Sequence, residues 1–340
     1  MFEFGKQANI LLTLCAGAVA KYIELSWIHW RSRNQFTLVG SVSELIVHPV
    51  KSARGMSVQT AFCSKYGLKY QNVTDRHWMV TTKDGTYITL RQYPQMALIT
   101  ASLHGDQMVL SAPGMQNIDI PMHTSQTRIS EAGIKNVRVE SYDCGDELSL
   151  WLSQFLSVEG LRLHFSGPEL VKRQTKYVPK NWEINAEETD MIAFHDFCNC
   201  MLMGNATVED LNKRLQKPVT HRNFRANILL NGTSPYEEDN WLAVRIGDTV
   251  EFRVIDHCTR CVLITVDPDL GVKNKEEEPL KTLKTEPTHG RRKRHRRRGA
   301  TPHGASRSRQ AYERTSEKPM CSTWTDRTQK WELGNNNNFD

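Results

Sequence analysis

The turn Cys258-Thr259-Arg260-Cys261 gathers the densest chemistry in the sequence. A strand-like run, Glu251 to Ile255, enters it. A β-branched run, Val262 to Val266, leaves it and ends at Asp267-Pro268-Asp269-Leu270-Gly271. The pattern predicts a buried hairpin with two thiols at its mouth. Such a pair can ligate a soft metal, exchange electrons or simply pack. With Cys198-x-Cys200 it could also build a four-thiolate zinc site. Other polar residues fall at the ends of expected strands: Lys51-Ser52, Arg76, Arg91-Gln92, Arg225-x-Asn227 and Thr259-Arg260. Arg grips a phosphate with paired donors, and Lys meets it as a point charge. Asn offers both a donor and an acceptor to the edge of a heterocycle. An anionic, heterocyclic, sulfur-ligated metal cofactor would use all three kinds of group. Each also has an ordinary structural use. Lys51 and Arg76 could be surface charges, Arg76 could pair with Asp75, and Asn227 could satisfy backbone at a strand start.

The elements that must hold these residues read as mainly β. Val42 to Val47 is a strand stopped by His48-Pro49, with Lys51 and Ser52 on the turn that follows. Arg76 opens the run Trp78-Met79-Val80, which a Lys83-Asp84-Gly85 turn folds back toward a return strand over Ile88 to Gln92. Residues 96–120 alternate short apolar runs with Gly and Pro turns, as short antiparallel strands do. Leu148, Trp151, Leu152, Phe155 and Leu156 have helical spacing after a start near Asp146. A second helix over 206–215 is expected with its cap near Thr207. Residues 166–190 are polar and aperiodic, a surface connection or domain boundary. Ala243 to Ile246 and Val250 to Ile255 form a hairpin leading into the cysteine turn.

Charge and composition limit the function classes. The formal net charge is +6, but residues 286–340 hold 13 Lys and Arg against 6 Asp and Glu, so the rest of the chain is near −1. The basic character belongs to a tail, so the net charge is no argument that the body binds nucleic acid, and any such binding is expected through that tail. Arg291 to Arg298 is almost wholly basic and is followed by a polar, Asn-rich end, which predicts a disordered segment. Eight cysteines scattered over 340 residues favour reduced thiols over a disulfide scaffold. Residues 8–20 are apolar, and Trp27, Trp30, Arg31 and Arg33 follow as an aromatic and basic edge. That order predicts an N-terminal membrane anchor with the body on the cytosolic side, with a signal peptide or an amphipathic helix as rivals.

Ordered along the chain, eight stretches resemble one family. They are V-x-E-L-I-V-H-P-V-K-S-x-x-G (42–55), D-R-H-W-M-V (75–80), T-L-R-Q-x-P (89–94), D-C-G-D (143–146), D-L-N-K-R-L (210–215), N-F-R-A-N-I (223–228), Y-E-E-D-N-W (236–241) and C-T-R-C-V-L-I-T-V-D-P-D-L-G-V (258–272). The sequence resembles the mitochondrial amidoxime-reducing components of the MOSC (molybdenum cofactor sulfurase C-terminal) superfamily. The resemblance implies a mixed α+β, mainly β fold. A targeting or anchor segment (1–35) would precede a MOSC N-terminal β-barrel domain (36–165). A MOSC β-barrel domain with peripheral helices (180–285) and a disordered basic tail (286–340) would follow. It implies a molybdenum–molybdopterin cofactor with Cys261 as the thiolate ligand and catalytic centre. Lys51, Ser52, Arg76, Arg225, Asn227, Thr259 and Arg260 would hold the pterin and its phosphate. At the superfamily level it also carries an association with pyridoxal phosphate binding. The implied reaction is reduction of N-hydroxylated substrates. Electrons would come from NADH through a flavin reductase and a b-type cytochrome, at the mitochondrial outer membrane facing the cytosol or, alternatively, at another membrane or in the cytoplasm.

The chain departs from the family's pattern in three places. Ala226 stands where a Pro is usual, and residues 195–201 replace an Asp-x-Ser/Cys-Pro pattern, so Asp196 and Cys198 are left unassigned. After Leu280-Lys-Thr-Leu-Lys284 a basic polar tail stands where the family has closing strands. Their loss would expose a sheet edge. The alternative function is therefore a non-catalytic MOSC-type protein that binds the cofactor or carries sulfur, inactive through its altered C-terminus.

Overall fold

The computed structural model describes residues 15, 17–26, 36–120, 128–135, 137–175, 185–285, 320–324 and 329–332. Residues 1–39 and 40–340 form two compact units. In the first, residues 17–26 form a helix, α1, exposed along its length. No helix among the described residues is long and apolar enough to cross a membrane. The other residues of the expected anchor, 8–14, 16 and 27–30, lie outside the described residues.

In the second unit the run Leu45-Ile46-Val47 makes β1 (Ser41–Val47) a strand buried toward its C-terminal end. A continuous apolar run is what a strand covered on both faces requires. β1 pairs antiparallel with β2 (Met56–Val58) and with β16 (Ile228–Asn231), Leu45 opposite both Val58 and Ile228. This joins the start of the expected N-terminal domain to strands of the expected C-terminal one. The sheet continues through β15 (Cys200–Gly204), parallel to β16, and ends with the hairpin of β17 (Ala243–Ile246) and β18 (Val250–His257). β3 (Thr60–Ser64), β4 (Gly67–Tyr70) and β5 (Val73–Thr74) form a meander. β6 (Trp78–Thr81), β12 (Arg162–Phe165), β11 (Val137–Asp143) and β10 (Arg128–Ile134) form a second antiparallel sheet. β7 (Thr100–His104), β8 (Gln107–Ser111) and β9 (Ile118–Ile120) form a third. Two-stranded pairs close smaller gaps: β13 (Arg173–Gln174) with β14 (Met191–Ile192), and β19 (Val266–Asp267) with β20 (Val272–Lys273).

Four short α-helices lie among the strands of the described residues. α2 (Asp146–Leu156) buries Leu148, Trp151, Leu152 and Leu156 on one face and leaves Leu150 in solvent. Asp146 and Glu147 sit in its first turn, where the positive end of the helix dipole favours them. α3 (Asn205–Asn212) begins at Gly204, so the cap is not at Thr207. Thr207 lies inside the helix, where its hydroxyl donates to the buried Glu238 carboxylate. The capping box belongs instead to α4 (His221–Phe224), where Thr220 and Asn223 satisfy each other's backbone. α5 (Leu280–Thr285) packs Leu280 and Leu283 inward. One continuous core runs through both expected domains, from Leu45 and Trp78 to Leu148, Ile228 and Phe252.

Three stretches differ from the sequence reading. Ile88 to Gln92 is not a return strand. After one ladder bond, from Ile88 N–H to the Val80 carbonyl, the chain turns. The Gln92 side-chain oxygen accepts from both the backbone N–H and the hydroxyl of Thr89, and Gln92 and Tyr93 N–H close on the Thr89 carbonyl. β6 finds its neighbour in β12 instead. Val262 to Thr265 is a 3-10 turn, not the second arm of a hairpin. There the Asn223 amide donates to the carbonyls of Ile264 and Val266, taking the place of a ladder partner. Finally, two segments of the stretch expected to be an unstructured tail are paired strands. β21 (Met320–Trp324) lies between β18 and β15, with Ser322 opposite both Val254 and Cys200. β22 (Gln329–Glu332) extends the meander along β3. The edges that loss of the closing strands would leave bare are thereby covered. Residues 286–319, 325–328 and 333–340 lie outside the described residues.

Candidate active site

The buried carboxylate of Asp75 holds one half of the site together. It is fully buried and accepts from the His48 backbone N–H at 2.6 Å and the Asn227 amide at 2.9 Å. It also pairs with the Arg76 guanidinium. His195 Nε2 lies 3.2 Å away, off the line of a good hydrogen bond. Burial alone would raise the Asp75 carboxyl, but Arg76, His195 and His48 hold it well below the ordinary carboxylate range. Arg76 has a left-handed backbone (φ 50°), which turns the chain just before β6. Its guanidinium also donates to the Asn227 side-chain oxygen at 3.3 Å and to the Arg225 carbonyl at 3.2 Å.

Arg225 and Asn227 follow α4. Arg225 is left-handed too (φ 60°), and its Nη1 donates to the Ala53 carbonyl at 2.6 Å. Burial, with Arg76 nearby, pushes its guanidinium down to about 9. The buried Asn227 amide is spent within the protein. Its Nδ2 donates to the Ile46 carbonyl as well as to Asp75, and its Oδ1 accepts from Met201 N–H. The backbone-satisfying use of this residue is therefore present in full.

Lys51 and Ser52 occupy the turn after β1, and both are buried. Ser52 takes a left-handed conformation (φ 72°) that reverses the chain there. Lys51 Nζ donates to the Phe194 carbonyl and to Asp196 Oδ1, each at 2.9 Å. Burial lowers its ammonium to about 8 despite Asp196. Asp196, half-exposed, is held well below its usual range by Lys51 and Lys135 against the effect of burial. Arg91 brings a further positive charge to bear on both Asp196 and Cys261.

The cysteine turn closes the other half. Cys261 is a free, partly buried thiol at the start of the 262–265 turn. Burial raises it, while the Leu263 N–H and Arg91 pull it back down. Arg260 is buried and stacks on the Phe224 ring, its Cζ 4.9 Å from the ring centroid. Its Nη1 makes only long contacts, to the Phe224 carbonyl at 3.5 Å and to Met201 and Cys258 sulfurs at 3.7 Å. Its Nε and Nη2 are buried with no partner. Thr259 is exposed. Cys198 is disulfide-bonded, which removes it from any four-thiolate zinc site. Among the described residues, no three His, Cys, Asp or Glu side chains converge as metal ligands.

The fold therefore gathers the predicted residues into two linked groups, Arg76–Arg225–Asn227 around Asp75, and Lys51–Arg91–Cys261 around Asp196. Arg260 lies beside Cys258 and Cys261. Of the organising groups, sequence reasoning names Asp75 only as a possible partner of Arg76, leaves Asp196 unassigned and passes over His195. Adjacency to Arg76 is the one signal for Asp75, and no spacing marks His195. Chemically, the arrangement pairs a soft donor with unmatched cationic N–H groups. That suits an anionic group bound through sulfur at one end and through guanidinium at the other.

Residues 39–159 match the MOSC N-terminal beta barrel domain and residues 189–308 match the MOSC domain. The zebrafish (Danio rerio) mitochondrial amidoxime-reducing component 1 is 37% identical over 270 residues, 79% of each chain. The Xenopus laevis protein of the same name is 38% identical over 279 residues, 80% of each. The human one is 36% identical over 285 residues, 83% of this chain and 81% of that one. The chain belongs to the MOSC-domain family of the mitochondrial amidoxime-reducing components.

Proposed function

We propose that the chain is a molybdenum-cofactor-dependent reductase of N-hydroxylated compounds, amidoximes among them. The observation that supports this most directly is a free Cys261 thiol next in sequence to Arg260, whose buried Nε and Nη2 have no protein partner. A buried donor left unmatched costs about 1–3 kcal/mol, and an anionic ligand would recover it. The residues present fit the molybdenum–pterin group. Cys261 would supply the thiolate, Arg260 and Thr259 the phosphate contacts, and Lys51, Ser52, Arg76 and Arg225 the remaining polar wall. Asn227, with its amide spent on Asp75, Ile46 and Met201, acts by holding Arg76. When bound, the cofactor supplies an oxygen-accepting metal that cycles by two electrons.

The overall reaction cleaves one N–O bond, consumes two electrons and two protons, and releases water. This chain's residues serve the proton side. Lys51, lowered to about 8, stays mainly protonated at neutral pH, is held by the ionised, half-exposed Asp196 at 2.9 Å, and would be the proton donor of the pair. Arg91 and Lys51 would stabilise negative charge developing on the departing oxygen. Electrons would arrive from NADH by way of a flavin reductase and a b-type cytochrome. The mitochondrial names of the relatives support a mitochondrial location, and the aromatic and basic edge after residues 8–20 would set it at the outer membrane facing the cytosol. β21 and β22 pair with edges that the altered C-terminus was expected to bare, which weighs against the alternative of an inactive MOSC protein.

The test is metal analysis of the full chain purified from a host that makes the cofactor, followed by NADH-driven benzamidoxime reduction with both electron-transfer partners added. Molybdenum near one per chain, and activity lost in Cys261→Ala, is the expected result. Full activity in that variant, or zinc in place of molybdenum, overturns the reading.

A further inference from the structure

Asp196 lies in a loop that cations hold in place. The four consecutive carbonyls from Ala193 to Asp196 each accept from a positively charged side chain. Arg173, on β13, donates Nε and Nη2 to the Ala193 carbonyl at 3.2 Å and 3.0 Å, and Nη2 also to the His195 carbonyl at 2.5 Å. Lys51 donates to the Phe194 carbonyl at 2.9 Å. Lys135 donates to the Asp196 carbonyl at 2.6 Å. Lys135 comes from the tip of the β10–β11 hairpin, where its left-handed backbone (φ 48°) turns the chain. Neither motif order nor spacing marks it.

Lys135 also reaches the Asp196 carboxylate. Its Nζ stands 3.6 Å from Oδ1, the same oxygen that Lys51 Nζ meets at 2.9 Å. The two ammonium nitrogens are therefore no farther apart than those two contacts laid end to end. Like charges that close, at a partly exposed site, weaken each other's hold on a proton by about one pH unit. With Asp196 as its only neighbour, Lys51 would keep its proton tightly. Burial works the other way, and so do the charges of Lys135 and Arg173. The His195 ring, kept neutral by burial, also faces Lys51, as does the Tyr87 ring with its centroid 5.9 Å from Nζ. Lys135 is the replaceable member of this set. Its side chain is 29% exposed, and the carbonyls of Ala193, Phe194 and His195 stay held by Arg173 and Lys51 without it. Removing its charge therefore leaves Asp196 on Lys51.

We propose that Lys135 is a positioning residue of the reductive reaction: by sharing one carboxylate with Lys51, it loosens the proton that Lys51 delivers. Its role rests on the reductase reading above. The step it serves moves one proton from the Lys51 ammonium to the departing oxygen and leaves a neutral amine, which water recharges. Without Lys135 the ammonium is a weaker acid. Proton delivery then slows, while the contacts that bind substrate stay as they were.

The first measurement needs no cofactor. In the full chain with carbon-13 lysines, the Lys51 side chain is the resonance missing from Lys51→Met. It should titrate near 8 in the unmodified protein and about one pH unit higher in Lys135→Met, because a neighbouring positive charge is gone. Lys135→Arg keeps that charge and should stay within about 0.3 unit of the unmodified protein. A Lys51 titration unmoved or lowered in Lys135→Met overturns the proposal. The second measurement is benzamidoxime reduction by the molybdenum-loaded chain with both electron-transfer partners in excess. Activity should fall as pH rises through the Lys51 titration, and in Lys135→Met this alkaline limb should move up by the same amount. At pH 7 kcat should drop about threefold with KM changed less than about twofold, and Lys135→Arg should restore both limb and rate. A merely structural Lys135 would lower the rate without moving the limb. A limb that stays in place while the carbon titration moves means that Lys51 is not the donor, and overturns the proposal at the catalytic step. A chain that binds no molybdenum sinks the reductase reading alone, and the carbon titration then still decides whether Lys135 governs Lys51.

Discussion

Arg76 and Arg260 are both guanidinium groups of the candidate site, and their surroundings are opposite. Arg76 has a carboxylate, an amide oxygen and a carbonyl to donate to. Arg260 has an aromatic face, two sulfurs and one long carbonyl contact, with two nitrogens unmatched. The first is built like part of the scaffold, the second like half of an interaction whose other half is a ligand. Hydrogen-bond satisfaction thus separates residues that shape the site from residues that touch its occupant. Residue type alone does not.

The comparison breaks most readily at Asp75. Asp75→Asn removes the charge that Arg76 and the Asn227 amide are aimed at and leaves a guanidinium buried against a neutral group. Losing one member of a buried pair costs about 3–5 kcal/mol. Urea unfolding should show a loss of that size. A loss below about 1 kcal/mol would mean that the Asp75 cluster is not what holds this half of the molecule.

Lys51 comes next and is read by pH. Its folded ammonium, near 8, lies below the unfolded value of 10.5, so the unfolded chain binds more protons between those values. Stability should therefore rise with pH from about 8 toward 10.5, and burial of the charge weighs against the fold at neutral pH and below. Lys51→Met should flatten that rise and add about 1–3 kcal/mol at pH 7, less whatever Asp196 loses by standing alone. Denaturation of both proteins across pH 7–10.5 gives the difference directly. Parallel curves would show that the Lys51 charge is not buried.

How much of this was legible in the sequence follows the same division. Strands with continuous or alternating apolar runs, β1 and the β17–β18 hairpin, were readable because burial dictates their pattern. So was the apolar face of α2. Ile88 to Gln92 was not, because a side-chain capture by Thr89 overrides a strand-like composition, and composition carries no trace of which hydroxyl meets which amide. β21 and β22 were hidden for a related reason. Met320 to Trp324 follows a strongly basic polar stretch, and its partners lie more than sixty residues back in sequence, at Val254 and Cys200. In the site, Lys51, Arg76 and the cysteine turn were visible through motif order. Asp196 became meaningful only when the fold set it 2.9 Å from Lys51, 145 residues away.

The smallest expected effects sharpen the comparison most, because they require stability and ligand binding to part company. Arg260→Met keeps an unbranched apolar stem on Phe224 and removes two unmatched buried donors. Replacing a poorly satisfied buried charge with an apolar group of similar volume is often neutral or stabilising. The unfolding free energy should change by no more than about 1 kcal/mol in either direction. Molybdenum retained after gel filtration should nevertheless fall about tenfold, since the variant lacks the donors an anionic group would use. Thr259→Ala, at an exposed position, should leave stability within about 0.5 kcal/mol and lower metal retention less. The opposite pattern, a destabilised Arg260→Met that keeps its metal, would make Arg260 another Arg76 and would move the ligand contact elsewhere on the turn.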